Sequence, residues 1–331
     1  MHLKAAILGI PGTSLGWETR DLLRAGTPAG VILFGRNIES PAQLVTLIAA
    51  LRAELPPEAV LLVDQEGGRV ARLKPPHWRK HPSAGRIGDL YAENNESGLR
   101  AAWITGALIG TDCAASGFDV ACAPVLDRRL PGYHDIVGDR GFSADPNAVA
   151  ALGAATAAGL LAAGILPVMK HLPGHGRARV DSHLALPVDE DGDDEDLIPF
   201  IGNARLPWAM TAHLLYPRHD ARHPATLSGT IISDIIRGRI GFDGVLVSDD
   251  LAMQALFGPP AARAAAALEA GCDLAMYCAG DDGGNADVLA ACRYVTDNTA
   301  RRLAASREVA QNARETLDAA ALAAERDALL T

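Results

Sequence analysis

The chain has 331 residues, 49% hydrophobic and 21% charged, a globular composition that excludes a mainly disordered protein. Thirty basic against forty acidic residues leave a net charge of −10; with no Lys/Arg-rich run, such a chain is a poor binder of nucleic acid and of anionic membranes. Five scattered cysteines (Cys113, Cys122, Cys272, Cys278 and Cys292) hold no close Cys-x-x-Cys pair, which argues against a disulfide framework or zinc ribbon and fits a reducing compartment.

The opening stretch, Met1 to Ile10, carries one Lys and ends at Pro11. It is too short for a secretory apolar core, and no small-residue cleavage site follows, so a cytoplasmic protein is expected. Continuous apolar runs then predict strands at Ala5–Ile10, Gly30–Phe34, Val60–Val63, Val120–Leu126, Ile165–Met169, Trp208–Ala212, Val245–Val247 and Asp273–Tyr277. Between most of them, helical stretches are predicted at Ala42–Glu54, Gly98–Ser116, Pro146–Ala163, Gly229–Gly238, Ala261–Ala270 and Val288–Asn298. Asp145 before Pro146 reads as an N-cap with proline in the first turn. Ser228 precedes the next helix, which ends near Gly238 and Gly241, and Gly271 closes the Ala-rich helix.

Two segments invite other readings. Ala148 to Met169 is charge-free and long enough to suggest a membrane span. It is mostly Ala and Gly, is interrupted at Gly164 and Pro167, and ends in Lys170-His171; a small-residue helix followed by a buried strand fits it better. The acidic run Asp189 to Asp196 lacks the spacing of a calcium loop and reads as a solvated loop feeding a helix N-terminus.

Strands that are apolar throughout, rather than alternating, belong in a parallel sheet covered by helices. About eight strand–helix units in roughly 300 residues predict a single α/β domain over residues 1–331, a (β/α)8 TIM-type barrel with allowance for irregularity. The Ala-rich tail from Arg301 to Thr331 supplies one or two helices packed outside.

Such a barrel gathers its reactive groups at the C-terminal ends of the strands. The residues there are Asp64-Gln-Glu-Gly-Gly-Arg69-Val-Ala-Arg72, Asp127 with Gly138-Asp-Arg140, Lys170-His-Leu-Pro-Gly-His-Gly176 with Asp181-Ser-His183, His213, and Ser248-Asp249-Asp250-Leu251. Three chemistries could use them. Glycoside hydrolysis needs a carboxylate on one side of the anomeric carbon and a proton donor on the other. Metal-assisted hydrolysis could draw on His171, His175, His183, His213 and Asp249. Phosphate binding at the Pro173–Gly176 turn lacks both a P-loop and a dinucleotide fingerprint.

Lys170-His-Leu-Pro-Gly-His-Gly176 with Asp181-Ser-His183 resembles the signature of family 3 glycoside hydrolases, and within them the bacterial β-N-acetylglucosaminidases of the NagZ type. Asp64-Gln-Glu-Gly-Gly-Arg69-Val, Gly138-Asp-Arg140 and Ser248-Asp249-Asp250-Leu251 match that family in the same order, so the resemblance runs from about Gly30 to about Asp281. It implies a retaining mechanism with Asp249 as nucleophile, His183 as acid/base and Asp181 as its partner. An imidazole titrating near 6.5 suits the acid/base task, and the one-residue gap places both dyad side chains on one side of an extended segment. The resemblance also implies that Asp64, Arg72, Arg140, Lys170 and His171 bind the sugar. It further implies specificity for N-acetylglucosamine on an anhydro-N-acetylmuramic acid leaving group, with or without peptide, in cytoplasmic peptidoglycan recycling. It implies no metal and no organic cofactor. The expected partner is this small carbohydrate or muropeptide, and a monomer is expected.

Some residues stay with plainer expectations. Asp250 reads as a capping neighbour of Asp249, His175 as a loop-shaping residue, and His213 as a strand-end residue with no assigned role. Arg177-Ala-Arg-Val180 departs from the family's usual pattern; its arginines either favour an anionic leaving group or face solvent. The loop from Leu172 to Pro187 is punctuated by Gly and Pro, as loops that move between binding and catalysis often are.

Overall fold

A computed structural model describes residues 2–180, 185–192 and 194–331. Eight parallel strands form one sheet: β1 (Lys4–Gly9), β2 (Pro28–Leu33), β3 (Val60–Val63), β6 (Val120–Ala121), β7 (Leu166–Leu172), β8 (Trp208–Thr211), β9 (Val245–Val247) and β10 (Ala275–Tyr277). β10 pairs with β1, and a parallel bridge between Val247 and Leu274 joins β9 to β10, closing the barrel. A two-stranded hairpin, β4 (Gln65–Gly67) and β5 (Val70–Ala71), follows β3. The barrel strands are buried almost throughout, as their largely apolar sequences require. This is the (β/α)8 architecture expected from the sequence.

Boundaries depart from expectation where backbone hydrogen bonds take over. The run Val120–Leu126 yields only two strand residues, because Pro124 has no N–H to extend the ladder. β7 instead runs on through Lys170 and His171, so those two polar side chains stand on the strand itself. The stretch expected to be one helix over Val288–Asn298 is split. One helix spans Asp282–Ala291 and the next begins at Asp297, capped by Thr296. Between them Ala5 donates to the Arg293 carbonyl and Val295 to the Leu3 carbonyl, so the linking residues pair with the chain's first strand. The segment after Ser228 is π-helical over Ile231–Arg239, with the Ser228 hydroxyl accepting the Ile231 N–H at 3.2 Å. Helices Trp17–Gly26 and Ala84–Glu93 were not expected from the sequence.

The Ala/Gly-rich stretch is the helix Pro146–Ala162, capped by Asp145, packed against the helix Asn95–Ser116. Its small residues serve that packing. A Cβ on Gly106 would lie 2.1 Å from the Thr156 carbonyl oxygen, and one on Gly159 would lie 2.1 Å from that of Trp103. Backbones this close admit no side chain. Among the described residues no helix is long and apolar enough to cross a membrane. The tail forms helices Asp297–Ala313 and Ala319–Leu329 outside the barrel. The last is held by buried Arg326, 3.3 Å from His81 Nδ1, and by the Arg100–Glu325 pair at 2.6 Å.

Candidate active site

The end of β3 runs straight into the hairpin, and alternation sets the site. Asp64 and Glu66 share one face, while Gln65 points into the core. The buried Gln65 amide donates to the Leu73 carbonyl at 3.0 Å and accepts from the N–H groups of Arg72 and Leu73 at 2.8 and 3.0 Å. Gly67 and Gly68 make the turn with φ of 96° and 55°, a region that only glycine enters readily. The hairpin thereby returns Arg72 to Asp64, Nη2 to Oδ2 at 3.0 Å.

β7 brings Lys170 to the same point. Its ammonium lies 3.2 Å from Asp64 Oδ1 and 2.6 Å from Glu66 Oε1. Arg140, from the loop after β6, forks onto Glu66 with two bonds of 2.8 Å. The Lys170 side chain is 3% exposed and that of Glu66 6%, so neither charge would be tolerated alone. Burial pushes both carboxyls up, but Lys170, with Arg72 on Asp64 and Arg140 on Glu66, outweighs it and holds both below the usual carboxylate range. Burial pulls Lys170 down, and the two carboxylates more than reverse that, raising it above its ordinary value. Asp64, Glu66, Arg140 and Lys170 are charged at neutral pH.

His171 is set by a carboxylate the sequence singled out only as following a strand. Asp127 is buried and accepts from His171 Nδ1 at 2.6 Å, from the His171 N–H at 3.2 Å and from the His175 N–H at 2.7 Å. With Nδ1–H on Asp127, Nε2 is the ring's remaining position and has no hydrogen bond among the described residues. The His175 N–H is thus committed to a carboxylate, so the Pro173–Gly176 turn does not present it to a phosphate. Burial drives the His175 ring down to about 4, neutral at pH 7. The Lys170–His171 and Leu172–Pro173 peptides are cis.

Asp249 stands just past β9. Its Oδ1 accepts the Asp250 N–H at 2.8 Å, and Oδ2 carries no hydrogen bond among the described residues. Burial raises this carboxyl, but the His213 and His171 rings, the Asp250 N–H and the Lys170 ammonium outweigh it and keep it below its ordinary value. Burial raises Asp250, whose Oδ1 accepts the N–H groups of Ala252 and Cys278; it braces the turn, as expected for a capping neighbour.

One cavity of about 510 Å³ is lined by Asp64, Glu66, Arg72, Arg140, Lys170, His171, His175 and Asp249. Six residues singled out in the sequence (Asp64, Arg72, Arg140, Lys170, His171 and Asp249) therefore meet in one place. The other two, Asp181 and His183, lie outside the described residues. Sequence reading missed Glu66, whose position two after Asp64 was the available signal. It also missed Arg69, which donates to the Asp135, Ile136 and Val137 carbonyls and ties the mouth loop to the hairpin.

Arg177 bonds Asp196 and Arg179 bonds Asp191, both at 2.6 Å, and neither lines the cavity, so nothing supports an anionic leaving group held by them. His213 does not line it either, and both its ring nitrogens are engaged with Thr226 and Asp250. Among the described residues no three His, Cys, Asp or Glu side chains converge as a metal site.

The arrangement offers fixed donors and acceptors on one wall for sugar hydroxyls, and on the floor a carboxylate with an open oxygen. The glycosyl hydrolase family 3 N-terminal domain matches residues 2–304. The chain belongs to glycosyl hydrolase family 3. This family 3 hydrolase is 41% identical over 286 residues to a β-hexosaminidase of Alkalilimnicola ehrlichii, covering 84% of this chain and 81% of that one. In structure it is similar to NagZ from Neisseria gonorrhoeae in complex with N-trifluoroacetyl-D-glucosamine. The TM-score is 0.88 at 32% identity, over 100% of this chain and 99% of the other. It is also similar to a β-N-acetylhexosaminidase from Beutenbergia cavernae, with TM-score 0.77 and 29% identity over 98% and 96% of the two chains. It is a glycoside hydrolase similar to β-hexosaminidases.

Proposed function

We propose that the enzyme is a retaining exo-β-N-acetylglucosaminidase acting on peptidoglycan-derived N-acetylglucosaminyl-anhydro-N-acetylmuramic acid, with or without peptide. The observation that carries this reading is the Asp249 carboxylate facing, with one open oxygen, the same cavity as the charged wall of Asp64, Arg72, Arg140 and Lys170. Oδ2 attacks the anomeric carbon as the bond to the leaving oxygen breaks, and His183 gives that oxygen its proton. Water, deprotonated by His183, then displaces Asp249 and restores the enzyme. Asp181 holds the His183 ring and stabilises its cationic form. The wall groups and His171 fix the ring so that the anomeric carbon meets the carboxylate. In this reading the catalytic unit spans residues 1–331, acts as a cytoplasmic monomer and uses no cofactor.

A leaving-group series tests the acid. In His183→Ala, kcat/KM for the disaccharide should fall at least about a hundredfold, and that for an activated aryl glycoside far less, because only the poor leaving group needs protonation. Equal losses on both would remove His183 from the role. Release of a sugar phosphate in phosphate buffer would make the enzyme a phosphorylase rather than a hydrolase.

A further inference from the structure

His213 lies two residues beyond β8, wholly buried and out of reach of the cavity. Its Nε2 is 2.9 Å from the Asp250 carbonyl oxygen. A carbonyl only accepts, so Nε2 carries the proton and, in the neutral ring that burial favours, Nδ1 is an acceptor. Thr226 Oγ1 lies 2.8 Å from Nδ1 and donates to it, sharing its proton with the Ala212 carbonyl at 3.0 Å. Thr211 Oγ1, 2.8 Å from Thr226 Oγ1, donates in turn, and accepts the Asp249 N–H at 3.3 Å.

The bonds form one chain. It starts on the Asp249 N–H, passes through Thr211, Thr226 and His213, and ends on the Asp250 carbonyl. Thr211, His213 and Thr226 are all fully buried, where water cannot replace a lost partner. Between the two ends lies the peptide whose N–H holds Asp249 Oδ1. Any roll of that peptide re-aims the carboxylate and with it the open Oδ2. Misplacing a reacting atom by about 1 Å can cost on the order of a hundredfold in rate.

We propose that His213 is a positioning residue for the glycosidase reaction. It clamps the Asp249–Asp250 turn so that the Asp249 carboxylate meets the anomeric carbon in line. The inference rests on the proposed reading of Asp249 as nucleophile. It predicts a loss shared by substrates with good and poor leaving groups, since attack and not protonation is impaired.

The test compares His213→Phe, His213→Gln and Thr226→Val with the wild type. kcat/KM is measured on aryl N-acetylglucosaminides of graded leaving-group acidity, per active site counted by burst titration with a slow-reacting fluorosugar. Counting sites removes any loss due to unfolded protein, which a merely structural role would produce. His213→Phe should lose about ten- to a hundredfold per site, with the leaving-group slope unchanged. His213→Gln, whose amide N–H can reach the Asp250 carbonyl, should recover most of it, and Thr226→Val should lose about fivefold or more. Per-site rates within twofold of wild type in both His213→Phe and Thr226→Val would overturn the proposal, as would a glutamine variant no better than phenylalanine. If His213→Phe does not fold, a fivefold per-site loss in Thr226→Val beside a near-normal His213→Gln sustains it, and a wild-type rate in Thr226→Val overturns it. Mapping the fluorosugar label in the wild type separates the two failures. A label away from Asp249 defeats the glycosidase reading, whereas a label on Asp249 with unaffected variants defeats the clamp alone.

Discussion

Asp249→Ala is expected to lose on the order of 10⁴-fold in turnover of an aryl N-acetylglucosaminide, the scale of removing an essential member of a catalytic set. The loss should fall on kcat, because the wall proposed to bind the sugar (Asp64, Arg72, Arg140 and Lys170) is held by its own ion pairs and by Glu66, not by Asp249. The fold should survive. The Asp249 N–H still reaches Thr211, and among the described residues only the hydrogen bond from the Asp250 N–H to Oδ1 disappears. Near-normal turnover, with circular dichroism and melting temperature close to wild type, would take Asp249 out of the mechanism.

Glu66→Gln is expected to be the most destabilising conservative change at the site, and its effect should depend on pH. Glutamine keeps the shape and removes the charge that compensates Lys170 and Arg140, both otherwise sunk in the barrel mouth. Breaking a buried pair by removing one partner costs about 3–5 kcal/mol. The Glu66 carboxyl sits well below its ordinary value of 4.5: burial raises it, and Lys170 and Arg140 more than reverse that. A carboxyl depressed by folding contributes stability that is fully present above its unfolded pKa and drains as pH falls toward its folded one. The wild type should therefore lose its advantage over Glu66→Gln only below about pH 4.5. Urea titrations at pH 7 and in steps below pH 5 read this directly. A gap between the two proteins that stays constant into acid would contradict it.

The architecture was legible because most of the barrel strands carry an unbroken apolar run, a pattern that outweighs local propensity. Val60–Val63 and Val245–Val247 begin and end where their apolar runs do. The hairpin after β3 was not legible. Its strands are two or three residues long, and its shape comes from the Gln65 side chain bonding backbone seven and eight residues on, a contact no periodicity reports. The helix Trp17–Gly26 was hidden for another reason: it buries only Thr19 and Leu23 and shows a largely polar face.

At the site, motif resemblance located six side chains that the structure gathers into one cavity. It did not reveal what holds them. Glu66 was read past as part of a motif, and Asp127 as a strand end, because the spatial neighbours that give them meaning lie up to 104 and 48 residues away, at Lys170 and His175. The same limit left Arg177 and Arg179 open between two readings. In sequence they are loop cations beside the dyad; in space they are taken by acidic residues of the run that follows.

Incubation with a slow-reacting fluorinated N-acetylglucosaminyl donor, followed by intact-mass measurement and peptide mapping, bears most directly on the central claim. The expected result is one added sugar per chain, carried on the peptide containing Asp249 and absent from Asp249→Ala. An unlabelled enzyme that still turns the compound over, or a label on any other side chain, would contradict it.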